Sequence, residues 1–328
     1  MMVAAAARRR AEGIAPFDPF RHLRPVADLM AQAFAGELGP AARQVLHHMR
    51  RITRWGGIGL WLWGVEARTW GAPGFVWLEG GRVIGNVSMR RAASPGGWMI
   101  GNVAVHPDCQ GRGIGQALVE AAIETAVERG GTWVGLEVRE KNDVARHLYE
   151  RMGFEPVGTS LELARPAGLP WASPAPTPIS LRRARANDSN ALHRLAQEGL
   201  SRFHREVLEI RPSAYRTDWE AKLTGWLEGC REDWWVTEER DRIVGGLRAS
   251  SRRPARWHEI EVLVRQRQLN DLGPRLAAAG LAVLSRRQPW ETTTVLPGPR
   301  ESLESTFVAA GFRRARRLVQ MRLTLGQR

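Results

Sequence analysis

Residues 103–115 read Val-Ala-Val-His-Pro-Asp-Cys-Gln-Gly-Arg-Gly-Ile-Gly, and the rest of the chain is read outward from them. An apolar strand runs into Gln110, Gly111, Arg112, Gly113, Ile114 and Gly115, and a helical pattern follows at once. Glycines at alternate positions let the backbone approach a ligand closely, and the N–H groups of a helix start favour anions. The stretch is therefore a candidate phosphate cradle. Its spacing excludes two common versions. There is no Gly-x-x-x-x-Gly-Lys-Ser/Thr, and Gly111, Gly113 and Gly115 run Gly-x-Gly-x-Gly rather than the Gly-x-Gly-x-x-Gly of dinucleotide sites.

The downstream sequence makes the motif more specific. A helical stripe continues through Ile114, Ala117, Leu118, Ala121, Ala122 and Ala126, and Gly130-Gly131 stops it. Trp133–Val138 reads as a short apolar strand. Asn142-Asp143 then opens a second helix that ends Leu148-Tyr-Glu-Arg-Met-Gly-Phe154. Taken together, Val103–Gly115, Leu136–Asn142 and Leu148–Phe154 resemble the GNAT superfamily of acyl-CoA-dependent N-acyltransferases, over residues 81–158. Leu136–Phe154 is especially similar to the bacterial N-terminal acetyltransferases of ribosomal proteins.

The resemblance implies an α/β fold with a mixed sheet, acetyl-CoA (coenzyme A) as donor, no metal, and direct transfer in a ternary complex. It implies that the amides of Gln110–Gly115 hold the pyrophosphate, with Arg112 adding charge or pointing to solvent. Val103 and Val105 match the strand that splays from its parallel neighbour and offers its backbone to the pantetheine arm. Tyr149 matches the residue that protonates the leaving thiolate. Asn142 matches a contact to the cofactor arm and is also a natural helix N-cap. Glu137, twelve residues before Tyr149, matches a base acting through water. Within the apolar run Trp133–Val138, desolvation would raise its pKa into a useful range, whereas strand alternation allows it to face solvent or pair with an arginine. His106 competes as a base from the loop, or is plain surface. Cys109 lacks a coupled His-Asp pattern and reads as a variable loop position.

The 328 residues suit two domains. Five prolines between Ala164 and Ser180 mark a linker, after which Ile179–Ala184 reads as a new first strand and Asp188–Leu200 as a helix. The second half repeats the first at an offset near 158: Trp257–Val264 parallels Trp98–Val105, Arg242–Gly246 parallels Arg82–Gly85, and Ala310-Gly-Phe312 parallels Met152-Gly-Phe154. The chemical positions do not repeat. Gly111 becomes Leu269, Gly113 becomes Asp271, Glu137 becomes Val295, Asn142 becomes Arg300 and Tyr149 becomes Phe307; Gly115 alone keeps its match, Gly273. The expected organisation is a disordered tail (1–15), a catalytic GNAT domain (16–165), a Pro-rich linker (166–178) and a degenerate GNAT-like domain (179–328). Within the first domain, Arg21–Val26 reads as the first strand and Val26–Phe34 as the first helix.

Net charge is +14, and Lys141 and Lys222 are the only lysines, so 48 − 2 = 46 arginines carry the rest. Basic runs such as Arg313–Arg317 lack an aromatic-interleaved motif, so solvated arginine accounts for them better than nucleic acid does. Two cysteines form neither a zinc cluster nor a disulfide framework, which points to a reducing, cytoplasmic setting. The apolar stretch Trp55–Val65 is too short to span a bilayer. Trp55, Trp61, Trp63 and Trp70 either line an apolar acceptor pocket or pack in a core or domain cover. The expected function is an N-acetyltransferase acting on a small-molecule amine or a peptide N-terminus. The alternative is a non-catalytic acyl-CoA-binding sensor.

Overall fold

A computed structural model describes residues 12–34, 74–169, 179–253 and 256–326. The chain divides into two compact units that do not coincide with its two halves. The first comprises residues 1–137, 147–155 and 321–328; the second comprises residues 138–146 and 156–320.

In the first unit, β1 (Gly13–Pro16) pairs antiparallel with the strand at Phe75–Glu79. Helix α1 (Pro19–Ala33) intervenes. Asp18 caps it, its Oδ1 accepting the Phe20 N–H at 2.9 Å, and Pro19 occupies the first turn, where a missing N–H costs nothing. Leu23, Val26, Ala27 and Met30 recur at helical spacing and are buried. This corrects two expectations. Residues 21–26 are helical rather than a first strand, and the first strand lies partly inside the expected disordered tail. Pro25 is a helix breaker by type, but its cost of about 3 kcal/mol is offset by burying several side chains worth about 1.5–3 kcal/mol each.

β2 (Phe75–Glu79), β3 (Arg82–Arg91) and β4 (Gly97–Val105) form an antiparallel meander. Helix α2 (Ile114–Glu128) crosses back, and β5 (Trp133–Arg139) lies parallel to β4. Ile114, Leu118, Ala122 and Ala126 are the buried stripe of α2, as the sequence indicates. A Cβ on Gly85 of β3 would come within 2.9 Å of both Ile114 and Leu118, so this glycine sets the close approach of helix to sheet. Helix α3 (Asp143–Arg151) and β6 (Glu155–Arg165) follow. The first unit is completed by the last described residues of the chain: Leu325 N–H donates to Thr132 O at 2.9 Å, and the Arg322 guanidinium lies 5.2 Å over the Trp133 ring.

The second unit repeats the plan. It contains β7 (Arg182–Arg183), α4 (Ser189–Gln197), α5 (Arg202–Leu208), α6 (Trp219–Leu227), β8 (Cys230–Glu239), β9 (Arg242–Arg252), β10 (Trp257–Val264), α7 (Leu269–Leu284), β11 (Glu291–Pro297) and α8 (Glu304–Ala309). Of the expected strand Ile179–Ala184, only Arg182–Arg183 pairs, with Val236 and Trp235 of β8. β10 and β11 are parallel, and β11 is paired antiparallel by Ser160–Arg165 of β6. A Cβ on Gly245 would meet Leu276 at 2.7 Å and Leu272 at 3.2 Å, repeating the contact of Gly85 with Leu118 and Ile114. The last strand, β12 (Arg313–Thr324), has its first eight residues in the second unit and the rest in the first. So each unit is finished by a strand drawn from the other half of the sequence. The basic run on β12 is structural: Arg314 pairs with Glu304, Arg316 with Glu162, and Arg317 with Glu301 and Glu140.

Candidate acetyl-donor site

The parallel ladder between β4 and β5 runs from Gly97–Trp133 to Ile100–Leu136 and stops there, although β4 continues to Val105. A bulge accompanies the break. Asn86 of β3 opposes Ala104 and Ser88 opposes Gly101, so Val87 faces two residues, Asn102 and Val103. Asn102 adopts φ +53°. The bulge is pinned from both sides: buried Asn86 donates from Nδ2 to Asn102 O at 2.9 Å, and Asn102 Nδ2 donates to Ser88 Oγ at 3.2 Å. Beyond the bulge Val103 and Val105 are half-buried, on the part of β4 that has no ladder partner in β5. Sequence reasoning passed over Asn86 and Asn102. A Gly-Asn pair inside an apolar strand is the signal that would have found the bulge.

β4 ends in a short helical turn, Pro107–Cys109. His106 caps it, Nδ1 accepting the Asp108 N–H at 3.3 Å, so this histidine is engaged with its own turn. Cys109 is a free, half-buried thiol. Gln110 reaches back through Nε2 to Val105 O at 3.4 Å. Gly111 and Gly113 have φ +76° and +77°, and a Cβ on either would meet nothing within 4 Å. The two glycines therefore shape an open concavity that only glycine forms without strain. The first α-helical bond runs from Ala117 N–H to Gly113 O at 3.0 Å, so the N–H groups of Ile114, Gly115 and Gln116 have no helical acceptor. Gly113 caps α2 without a side-chain bond. Arg112 does not point idly to solvent: its Nη2 lies 3.0 Å from Glu79 Oε2, and this carboxylate raises its already high pKa. The Ile114 side chain is core, so its contribution to a ligand is its amide.

Tyr149 is buried, its ring edge-on to Phe154 at 5.8 Å, and burial pushes its pKa up to about 12. The phenol keeps its proton throughout the neutral range. Glu137 stands between buried Leu136 and Val138 but is itself exposed. The desolvation expected from its apolar run is absent, because strand alternation turns it to the opposite face. Asn142 caps α3: its Oδ1 accepts the Ala145 N–H at 3.1 Å and its carbonyl accepts the Arg146 N–H at 2.9 Å. Of the tryptophan-rich segment, Trp55, Trp61, Trp63 and Trp70 lie outside the described residues.

The corresponding places in the second unit are built differently. Helix α7 starts at Leu269, so the counterparts of Gly111 and Gly113 are wound into a helical turn, with Leu269 buried. A Cβ on Gly273 would come within 2.6 Å of Leu303, whereas one on Gly115 has 3.7 Å to Val105. β10 pairs with β9 in unbroken register, without a bulge. Glu261, the counterpart of Asn102, is tied to Tyr215 Oη at 3.3 Å and to Arg248 Nη2 at 3.0 Å. Arg300, the counterpart of Asn142, is buried and donates from Nη2 to Leu195 O and Ala196 O at 2.6 and 2.8 Å. Phe307 and Phe312 repeat the edge-on pair of Tyr149 and Phe154, at 5.2 Å. Among the described residues there is no cluster of metal-ligating side chains, and no helix is long and apolar enough to cross a membrane.

Comparison with known proteins agrees with this geometry. The model of the acetyltransferase (GNAT) family matches residues 43–154. A mycothiol acetyltransferase of Beutenbergia cavernae is 35% identical over 107 residues, 31% of this chain and 35% of that protein. A [ribosomal protein bS18]-alanine N-acetyltransferase of Escherichia coli is 47% identical over 53 residues, 16% of this chain and 36% of that protein. These matches thus span about a third of the relatives' own length. Among solved structures, a GCN5-related N-acetyltransferase from Sphaerobacter thermophilus superposes with TM-score 0.64 at 19% identity, covering 95% of both chains. A tandem GNAT protein from the clavulanic acid biosynthesis pathway does so with TM-score 0.60 at 18% identity, covering 96% of this chain and 99% of that one.

Proposed function

We propose that this chain, which carries a GNAT acetyltransferase domain and folds as a tandem of two GNAT-like units, is an N-acetyltransferase with its active site in the first unit. The observation that carries the reading is the pairing of a bulged, splayed β4 with an open glycine cradle. The first unit has both and the second has neither. The residues present fit acetyl-CoA: the αL glycines leave room for a pyrophosphate against the α2 amides, and β4 beyond Ile100 has an edge released from β5.

In this reading Gln110, Gly111, Arg112, Gly113, Ile114 and Gly115 hold the pyrophosphate. The backbones of Val103 and Val105 hold the pantetheine arm. Bound acetyl-CoA supplies a thioester carbonyl and a thiolate leaving group. Glu137, exposed on β5, takes the proton of the acceptor ammonium through water. The freed nitrogen bonds to the acetyl carbon and sheds its second proton to solvent as the carbon–sulfur bond breaks. Tyr149, protonated at any physiological pH, delivers its proton to the departing sulfur and is reloaded from solvent. Holding the two reactants together supplies much of the rate.

The acceptor is a primary amine. A peptide α-amine is favoured, because the matched relative from E. coli is named for acetylating a ribosomal-protein alanine. A small-molecule amine is the other arm of the test. The free thiols of Cys109 and Cys230 suit a cytoplasmic setting. The test is thiol release from acetyl-CoA across a panel of amines and peptide N-termini. Turnover on at least one acceptor, lost in Tyr149→Phe, is expected. Tight acetyl-CoA binding with no turnover on any acceptor would overturn the assignment in favour of a non-catalytic acyl-CoA binder.

A further inference from the structure

The second unit holds a cavity of about 930 Å³, within the range of small-molecule sites. Its walls come from α6, the start of β8, the end of β9, the start of β10 and the turn before β11. It therefore lies at the opening end of β10. The counterpart of the glycine cradle follows the closing end of the same strand, so the cavity is not a remnant of that cradle.

Its charge is strongly one-sided. Arg216, Lys222, Arg231, Arg253, Arg286 and Arg287 line it, against one carboxylate, Glu232. Glu232 is already engaged by Arg248 at 3.3 Å and by Trp234 Nε1 at 3.1 Å. Arg216 is neutralised by Asp218 and Glu220. Arg287 and Arg231 share a single carboxylate, Asp233, with Arg183, at 2.7, 3.4 and 2.9 Å. Lys222, Arg253 and Arg286 are exposed and have no carboxylate partner among the described residues. At least three cationic groups thus face the cavity uncompensated, and a concave wall focuses their field.

The floor is rigid. Arg287 donates from Nη1 to Ser251 Oγ at 2.7 Å, Ser251 Oγ lies 2.8 Å from His258 Nδ1, and His258 Nε2 lies 2.8 Å from Gln288 O. The carbonyl on Nε2 fixes the proton there, so Ser251 donates to Nδ1. Every polar group of this chain has a partner, so it presents a fixed platform. Trp290 stacks on His258 at 5.0 Å and carries Arg253 at 5.5 Å, which leaves its faces engaged. Trp226 is different. It projects from α6, a helix that buries no residue, and is 73% exposed beside the cavity.

We infer that this cavity binds a small organic anion bearing an aromatic ring, of nucleotide size, with its charges on Lys222, Arg253 and Arg286 and its ring against Trp226. An amine substrate is repelled by the same walls, so the site is separate from acceptor binding. The test uses calorimetry on the full chain with three probes: ATP, inorganic tripolyphosphate and adenosine. A Gly113→Asp variant removes the cradle of the first unit as a competing phosphate site. In that background ATP binds, Lys222→Ala/Arg286→Ala weakens it at least about tenfold, and Trp226→Ala weakens ATP while leaving tripolyphosphate unchanged. All four substituted positions are exposed, and matching thermal transitions verify the fold. ATP binding that vanishes with Gly113→Asp, or that is untouched by Lys222→Ala/Arg286→Ala, overturns the inference, as does the absence of heat at millimolar ATP.

Discussion

Asn86 Nδ2 and the carbonyl oxygen of Asn102 lie 2.9 Å apart, one of two side-chain bonds that pin the bulge just beyond the point where the β4–β5 ladder stops. Asn86 is 1% exposed, so removing its amide leaves the Asn102 carbonyl without its protein partner. Asn102 is exposed and solvent can take over its carbonyl, so the loss is that of one net hydrogen bond, about 0.5–1.5 kcal/mol. Asn86→Ala is expected to lower the urea midpoint accordingly. It should also raise the KM for acetyl-CoA more than it lowers kcat, because the bulge positions the strand edge rather than the reacting atoms. An unchanged KM in a folded variant would sever the bulge from donor binding.

Gly113→Ala places a Cβ at φ +77°, at a strain of about 1–2 kcal/mol. No protein atom lies within 4 Å of that Cβ, so the methyl projects into the concavity itself. Calorimetry should show coenzyme A affinity falling by far more than the modest drop in thermal stability. Equal affinities for variant and parent would remove the pyrophosphate role of this loop.

Tyr149→Phe keeps the ring and its edge-on contact with Phe154. The pair Phe307–Phe312 shows that the fold accepts phenylalanine at that place. Stability should stay within about 1 kcal/mol, as expected for a substitution that retains packing. The rate of thiol release should fall by about 10²–10⁴, the range of a lost general acid. A variant with full activity would assign the proton to another group.

The chain has two tyrosines, and burial raises the pKa of both, Tyr149 to about 12 and Tyr215 further. An unfolded phenol releases its proton near pH 10. Between pH 10 and 12 the folded state therefore holds the Tyr149 proton that the unfolded state has lost. Stability is unaffected below pH 10 and declines through that window, by about 2–3 kcal/mol for a shift of this size. Phenolate absorbance should appear at higher pH in the native protein than in denaturant. Coincident titration curves would contradict the burial of both rings.

Arg300 satisfies two carbonyls at the end of α4 from a buried position. Arg300→Met leaves those carbonyls bare and should cost at least about 2 kcal/mol, measured by urea unfolding. The acetyl-CoA KM should be unchanged, since the donor site is placed in the first unit. A proportional loss of donor affinity would instead assign coenzyme binding to the second.

The local grammar of the fold was legible because it rests on short-range physics. Gly111, Gly113 and Gly130 mark left-handed turns, and the stripe Ile114–Ala126 marks the helix that joins them. Errors arose where a local sign was outweighed or ambiguous. Residues 21–26 read as a strand, yet the apolar stripe Leu23, Val26, Ala27 and Met30 carries a helix through them, Pro25 included. Glu137 admits two readings, desolvated among apolar neighbours or turned to solvent by the two-residue period, and the structure has it exposed. Gly101-Asn102 marks an interruption of the apolar strand, but which residue it bulges against is a property of two strands. The pairing of β6 with β11 was beyond reach for the same reason: an alternating strand advertises a buried face but not which partner it joins.

That pairing scheme has a consequence for biosynthesis. The first unit contains Gly13–Pro16 and also Met321–Leu325, segments far apart in the sequence. A nascent chain emerging from the ribosome exposes the cradle early but lacks the residues that finish its unit until Met321–Leu325 have been made. Loop closure over so long a span is slow, and a chain waiting for it presents unfinished strand edges. The two halves are thus bound into one folding event, and a gene split between them would yield two fragments that each lack an edge.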